Sequence, residues 1–275
     1  MDRIALVTGA SSGIGEATVR QLLGDGYVVY AAARRIERMV SLEEAGARIV
    51  TLDVTDDVTI NATIRRIESE AGRLDVLVNN AGYGSYGALE DVPLDEARRQ
   101  FEVNLFGAAR LSQLCLPMMR AQRSGRIVNI TSIGGKMWEP FGSWYHATKF
   151  ALEGLSDCLR MELKPFGIDV IVVEPGAIRT EWGGIAHESL LARSGDTAYG
   201  PYARRHAKMF EWADGSSLGS PPDVVARTIS RAVAAKRPRT RYATGGGAWW
   251  ILLLNRMLSD RMQDRIMWRV SQAER

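Results

Sequence analysis

The stretch Ile4-Ala5-Leu6-Val7-Thr8-Gly9-Ala10-Ser11-Ser12-Gly13-Ile14-Gly15 decides the fold. Its first four residues form an apolar run short enough to be a buried strand. The run passes directly into a turn with glycines at 9, 13 and 15, and residues 16–23 continue as a helix closed by Gly24-Asp25-Gly26. Glycines at such points let the backbone turn tightly against a diphosphate, while the helix N-terminus offers unpaired N–H groups and a positive dipole end. The spacing is Gly-x-x-x-Gly-x-Gly, not the G-x-G-x-x-G of most dinucleotide folds. The strand before it and the helix after it favour a cofactor loop over an ordinary turn.

The same alternation runs along the chain. Short apolar, β-branched runs at 28–32, 49–52, 74–78, 127–130 and 170–173 are separated by candidate helices at about 57–70, 96–120 and 145–165, the first lying at about 13–24. This is the pattern of parallel strands buried on both faces, and it predicts an α/β fold, a Rossmann-like doubly wound parallel sheet. Gly9, Asp53, Asn80, Ser132 and Pro175 each fall just after a strand, where such sheets bind ligands. With 275 residues and 46% hydrophobic content, 1–275 is expected to form one domain. Cys115 and Cys158 cannot build a disulfide framework; they read as core thiols in a reducing cytoplasm. A strand beginning almost at Met1 leaves no room for a signal peptide. His146, His187 and His206 lack metal-ligand spacing, so no metal is expected, and nothing points to a nucleic acid partner.

Tyr145 and Lys149 stand four residues apart in Tyr145-His146-Ala147-Thr148-Lys149, one turn apart on a helix face. An ammonium beside a phenol stabilises the phenolate and lowers a pKa that is ordinarily about 10. A phenol tuned this way can give a proton to a ketone or take one from an alcohol.

Together these motifs resemble the short-chain dehydrogenase/reductase family from about Arg3 to about Thr180. The family's glycine loop is residues 8–15 and its Asn-Asn-Ala-Gly turn is Asn79-Asn80-Ala81-Gly82. Asn104, Ser132, Tyr145 and Lys149 match its four catalytic side chains, and Pro175-Gly176-Ala177-Ile178-Arg179-Thr180 matches its Pro-Gly-x-x-x-Thr segment. The resemblance implies that Ser132 donates a hydrogen bond to the substrate oxygen and Tyr145 transfers the proton. It also implies that Lys149 lowers the Tyr145 pKa and holds the nicotinamide ribose, and that Asn104 orders a water linking Lys149 to solvent. Hydride would pass between the nicotinamide and a carbonyl carbon. Cofactor contacts carried over in the same way are Gly9, Ser11, Ser12, Gly13, Ile14 and Gly15 in the loop, and Asp53 and Val54 at the adenine edge. Asn80, Ala81 and Gly82 follow in the next turn, with Tyr145 and Lys149 on the helix, and with Pro175, Gly176, Ile178 and Thr180.

At the end of the second strand, where an NAD-preferring relative places an acid, stands Ala33, followed by Arg34 and Arg35. A missing carboxylate and an available guanidinium favour a 2′-phosphate and thus NADP(H). The alternative is a solvated helix start. Met137, Trp138, Phe141 and Trp144, with Tyr83, Tyr86 and Trp182, are placed to wall an apolar pocket. Residues 181–220 are expected to form a mobile substrate lid, and the helix after Ser220-Pro221-Pro222-Asp223 to begin with proline at its first position in a capping box.

The C-terminus departs from relatives that end in a Val-Asp-Gly-Gly strand. Arg241-Tyr242-Ala243-Thr244-Gly245-Gly246-Gly247 is followed by the apolar run 248–254, an ending more like the hydroxysteroid and retinol dehydrogenase branch. Residues 221–275 read as a helical extension. From Arg227 onward there are eleven Lys and Arg against three Asp and Glu, in a chain of formal net charge +3. Leu258, Met262, Ile266 and Val270 form one stripe, with Arg261, Arg265 and Arg269 beside it. A docked helix with a solvated basic face is the favoured reading, and a membrane-surface or subunit contact the alternative. In relatives the helices matching 96–120 and 145–165 pair across a two-fold axis, which implies a homodimer or homotetramer. The expected activity is NADP(H)-dependent interconversion of a ketone and a secondary alcohol, apolar or bulky. An acyl-thioester ketoreductase and a non-catalytic NADP(H) sensor remain as alternatives.

Overall fold

The computed structural model describes residues 2–216 and 219–273. A seven-stranded sheet, parallel throughout, runs in the order β3-β2-β1-β4-β5-β6-β7. Its first half is β1 (Arg3–Thr8), α1 (Gly13–Gly24), β2 (Tyr27–Ala33), the short α2 (Val40–Glu44), β3 (Arg48–Thr51), α3 (Asp57–Ala71) and β4 (Val76–Asn79). There follow α4 (Leu94–Phe101), α5 (Gly107–Gln122), β5 (Gly125–Ile130), α6 (Ser143–Leu163) and β6 (Ile168–Pro175). The last crossover carries α7 (Glu181–Ser194), α8 (Gly200–Gly215) and α9 (Asp223–Ala234) to β7 (Arg241–Thr244), after which come α10 (Ala248–Met257) and α11 (Asp260–Ser271).

Parallel strands need crossovers, and the crossovers cover both faces, so central strands are apolar at nearly every position. On one face Val19 and Leu22 of α1 and Val225, Ile229 and Val233 of α9 pack on Val7, Val29, Val78 and Val128. On the other, Ile60 and Ile67 of α3 and Leu111, Cys115 and Met119 of α5 pack on Leu6, Leu77 and Ile127. Asp56 caps α3 by accepting from the Val58 N–H, and Gly72, at φ +65°, ends it in the left-handed conformation that glycine adopts without strain.

Several expectations are corrected. The helix expected at 96–120 is α4 and α5 joined by a turn of π-helix, Glu102–Phe106. The departure at the C-terminus still contains a strand: β7 pairs with β6, Val172 against Arg241 through Pro175 against Thr244. Pro222 sits at the N-cap of α9, not inside it, and no side chain caps that helix. Cys115 is buried, its thiol pushed up to about 12 by burial, whereas Cys158 is exposed on α6.

What holds β7 is charge. Arg241 donates to Glu153 Oε2 at 3.0 and 2.9 Å and to Asp157 Oδ2 at 2.7 Å. Glu153 also accepts from Thr131 Oγ1 at 2.7 Å and pairs with Lys136 at 3.0 Å. Glu153 is buried, so removing both Arg241 and Lys136 would leave an uncompensated charge, which is strongly destabilising. Hydrogen bonds from Arg241, joined by Arg160 and opposed by burial, hold Asp157 down to about 2.

The tail is not docked as its stripe suggested. Met262, Ile266 and Val270 are exposed, and the positions that α11 buries are Gln263 and Ser271. On α10, Trp249, Trp250, Leu253, Leu254 and Met257 share one exposed face, with Trp250 at 64% and Met257 at 76%. The two helices are anchored by Asn255 Nδ2 to Lys136 O at 2.8 Å, Trp138 Nε1 to Asp264 at 2.8 Å and His206 with Ser271 at 2.8 Å, with the Trp268 ring 5.6 Å from that of Tyr202. Among the described residues no helix is long and apolar enough to cross a membrane.

Glu174, at the end of β6, is buried beside this charge cluster. Burial, with the charge of Glu153, pushes it up to about 7 against the pull of Arg241 and Lys136. Its folded value lies above the ordinary 4.5. The folded chain therefore keeps a proton that the unfolded chain releases, and this group's contribution falls as pH rises from about 4.5 to about 7. Glu174→Gln is expected to change Tm little near pH 4.5 and to raise it at pH 8. A Tm difference independent of pH would contradict this account.

Candidate active site

The carboxyl ends of β1 and β4 are fastened through one hydroxyl. Thr8 Oγ1 accepts the N–H groups of Asn80 and Ala81, both at 3.0 Å, and donates to Val78 O at 3.2 Å. Asn80 Nδ2 returns a bond to Thr8 O at 2.9 Å. The glycine loop leaves no room for side chains: a Cβ on Gly15 would stand 2.2 Å from Gly9 O, and one on Gly9 2.9 Å from Asn80. Gly9 and Gly13 have φ of +65° and +56°. This close-packed backbone, at the N-terminus of α1, fits a dinucleotide diphosphate.

The remaining cofactor residues fall around it. Thr180 caps α7, accepting from Trp182 N–H, and its methyl faces Gly13. Gly176 N–H donates to Thr244 O at 3.0 Å, and Ile178 bridges to Ser220. Asp53 accepts from Thr55 through N–H and Oγ1; these bonds and Arg34 outweigh its burial and lower its pKa. Val54 lies against Gly107. Arg35 reaches Ser11 Oγ at 3.4 Å, while Arg34 is exposed, 4.0 Å from Asp53. Sequence reading passed over Glu181, which meets Arg38 at 2.7 Å and Arg35 at 3.6 Å.

Asn104, Ser132, Tyr145 and Lys149 converge beyond this loop. Asn104 lies in the π-helical turn, where its Oδ1 accepts from Tyr83 N–H at 3.0 Å. Its Nδ2 donates to Tyr83 O at 3.0 Å and Thr148 Oγ1 at 3.1 Å, so its amide is used by the protein itself. A Cβ on Gly82 would stand 3.1 Å from Asn104 Oδ1 and 3.7 Å from Lys149 Nζ, which places these three groups side by side. Ser132 accepts from Gly134 N–H at 3.0 Å and lies close enough to Tyr145 to favour its phenolate. Lys149 donates to Ile130 O at 3.0 Å, and its Nζ is 5.9 Å from the centre of the Tyr145 ring.

Electrostatics at this site differ from the sequence expectation. Burial raises the Tyr145 phenol above its ordinary value, the neighbouring Ser132 hydroxyl works against that, and the charge of Glu139 adds to it. Lys149 is itself pushed down to about 8 by burial, opposed by Glu153.

Aromatic residues close the site. Trp182 lies 5.1 Å from the Tyr145 ring and Tyr86 5.8 Å from it, and Phe210 of α8 meets Tyr86 at 5.0 Å. Tyr83, by contrast, bonds Glu96, and Trp138 reaches the tail, so neither belongs to this cluster. Phe141 holds a left-handed φ of +67°, which costs a non-glycine residue about 1–2 kcal/mol. The Gly87 N–H on its carbonyl at 2.9 Å secures that strained turn. Neither Tyr86's neighbour Glu139 nor Glu153 stood out in the sequence.

A glycine-cradled nucleotide loop and a Ser–Tyr–Lys group at the carboxyl edge of one parallel sheet define a dinucleotide-dependent oxidoreductase. The model of the short chain dehydrogenase family matches residues 3–188, and the chain belongs to the short-chain dehydrogenase/reductase family. It is 37% identical over 243 residues to a 3-ketodihydrosphingosine reductase of Bacteroides thetaiotaomicron, covering 88% of each chain. It is 33% identical over 282 residues to an NADPH-dependent 3-dehydrocapnine reductase of Ornithobacterium rhinotracheale, covering 97% of this chain and 96% of that one. The crystal structure of a short-chain dehydrogenase from Streptomyces avermitilis superposes with a TM-score of 0.79 at 36% identity, covering 94% and 93% of the two chains. The chain is thus an NAD(P)-dependent oxidoreductase.

Proposed function

We propose that this chain is an NADP(H)-dependent reductase of ketones carried on bulky or long apolar molecules. The observation that carries the reading is the convergence of Ser132, after β5, on the buried Tyr145, with the buried Lys149 one turn along the same helix beside the Asn80-Ala81-Gly82 turn. Ser132 aligns the carbonyl oxygen. Tyr145, kept neutral by burial, then gives that oxygen its proton as negative charge develops. Lys149 keeps its Nζ toward Ile130 O and toward the ribose side of the site. The nicotinamide, when bound, supplies the hydride. Asn104 acts as a structural tie between Tyr83 and α6, and so positions Lys149. The helices α7 and α8 form the lid, and Trp182 excludes water above Tyr145. By their names, the two relatives act on 3-keto or 3-dehydro compounds, which supports reduction of a ketone. The missing acid at Ala33 and the convergence of Arg35 with Ser11 support NADP(H), as does the named NADPH dependence of one relative.

Arg34→Ala and Arg35→Ala are each expected to weaken the preference for NADPH over NADH. A lost charge-assisted contact of about 1.5–3 kcal/mol corresponds to roughly ten- to more than a hundred-fold. Compare kcat/KM for both cofactors in each protein; equal use of the two by the unmodified enzyme would sink the cofactor assignment.

Tyr145→Phe should lose about 10²–10⁴-fold in kcat, the usual worth of general acid catalysis, while NADPH binding stays within a few-fold. Stopped-flow reduction and fluorescence titration separate the two. More than a tenth of the activity remaining would show that another group supplies the proton.

We further propose a homodimer or homotetramer through α6 and the π-helical turn leading into α5, where Phe106, Phe150 and Met161 are left exposed. A second reading places α10 and α11 on a lipid surface, favoured by their exposed apolar face and by Arg256, Arg261, Arg265 and Arg269 around it. Light scattering across a dilution series is expected to show no monomer at micromolar concentration. Sedimentation with anionic vesicles, with and without a cut after Gly247, decides what the tail meets.

A further inference from the structure

Ser132 stands on a short turn whose two ends are gripped by one side chain. It caps a single turn of 3₁₀-helix, Ile133–Gly135, by accepting from Gly134 N–H. Just before it, Thr131 Oγ1 donates to Glu153 Oε1 at 2.7 Å. Just after the turn, Lys136 Nζ meets Glu153 Oε2 at 3.0 Å. Between these grips the chain lies flat on α6, where a Cβ on Gly135 would stand 3.0 Å from Glu153 Cγ and 3.2 Å from Lys149 O. Bonds from Gly135 N–H to Ser132 O and from Lys136 N–H to Ile133 O, both at 2.9 Å, fix the shape of the turn. Its place on the helix is fixed by Glu153, and by His146 Nδ1 at 2.9 Å from Gly134 O.

A carboxylate is costly to keep in such a position. Glu153 is only 3% exposed, and Arg241 supplies two further donors to Oε2. An apolar side chain could fill this space at less cost, but it could not hold Thr131 and Lys136 together. Glu153 also follows Tyr145 and Lys149 along one face of α6 at single-turn spacing. Ser132 and Tyr145 have to address the same carbonyl oxygen, and a misplacement of about 1 Å can cost about a hundredfold in rate.

We propose that Glu153 is a positioning residue of the reaction, the clamp that sets the Ser132 turn against the helix face carrying Tyr145 and Lys149. This rests on the ketone-reductase reading and adds a residue to that site. The oxygens of Glu153 are taken up by Thr131, Lys136 and Arg241, so it acts through Ser132 and not on substrate. It acts on Lys149 as well. Ile130 O, which receives the Lys149 ammonium at 3.0 Å, directly precedes Thr131. The charge of Glu153 also opposes the burial that pushes Lys149 down to about 8. The other charged groups of this cluster are Lys136 after the turn, Asp157 and Arg160 on α6, Arg241 on β7 and Glu174 on β6. With Glu153 neutral the opposing charge is gone, and the Lys149 ammonium is less favoured.

The test uses the full chain with NADPH and trifluoroacetophenone, an activated aryl ketone. Thr131→Val removes one grip and no charge, and it is expected to lower kcat about tenfold while KM for NADPH stays within about twofold. In a Ser132→Ala background the same substitution should cost less than about twofold, because a residue acting through Ser132 then has no target. Glu153→Gln releases both grips and should cost more than Thr131→Val, with Glu153→Asp between the two. Fluorescence titration of NADPH across pH reads Lys149 without turnover. Binding is expected to weaken as pH rises through about 8 in the unmodified chain and in Thr131→Val, and at lower pH in Glu153→Gln. If Thr131→Val costs nothing, or costs as much without the Ser132 hydroxyl as with it, Glu153 is a structural residue only and the reductase reading stands. If the unmodified chain reduces no ketone, the reductase reading fails and the titration alone decides: a lowered midpoint in Glu153→Gln supports its hold on Lys149, and an unchanged one overturns it.

Discussion

One face of α6 governs the site. Tyr145, Lys149 and Glu153 follow one another at single-turn spacing, all buried, and the last of them is fixed by Arg241, Lys136 and Thr131. Glu153 thus joins the helix to β7, to the residue after β5 and to the turn that follows Ser132. The position of Ser132 against Tyr145 is a consequence of these bonds as much as of local sequence. A buried carboxylate this heavily paired adds little net stability over an apolar replacement, but it permits one arrangement of the elements around it and penalises others.

The central strands were legible because parallel strands covered on both faces must be apolar at nearly every position, and 28–32, 127–130 and 170–173 are. β7 was not, since Arg241 and Tyr242 are half-exposed and the strand is held by Glu153 and Asp157, far away in sequence. The π-helical turn at Asn104 was invisible for a different reason: one extra residue in a turn barely disturbs an apolar period. Motif spacing located Ser132, Tyr145 and Lys149, but it carried no information on burial, and burial sets the Tyr145 phenol and Lys149 in directions a simple ion-pair argument misses. Glu139 and Glu181 lie outside any periodic pattern, and only three-dimensional proximity to Tyr86, Arg35 and Arg38 gives them meaning.

The tail shows how far amphipathicity reaches. A stripe of Met262, Ile266 and Val270 beside arginines says that a helix has an apolar face, not what covers it. In this chain the face turned inward holds Gln263 and Ser271. The polar anchors that turn it, Asn255 to Lys136 and Asp264 to Trp138, both end on the segment between Ser132 and α6. Whatever meets the outer face is mechanically adjacent to the residues that orient substrate.

Between β7 and α10 the chain passes through Gly245, Gly246 and Gly247, all at positive φ, and a Cβ on Gly246 would stand 2.1 Å from Ala177 N. Three consecutive positions therefore penalise ordinary L-residues on grounds of handedness, and the middle one excludes them on grounds of space. Side chains on the tail's exposed face can change without disturbing the sheet. The tail's angle of departure from the sheet is more constrained, because a side chain at Gly246 would collide with the Ala177 backbone. The hinge acts as a fixed bracket on which interchangeable outer surfaces can be mounted.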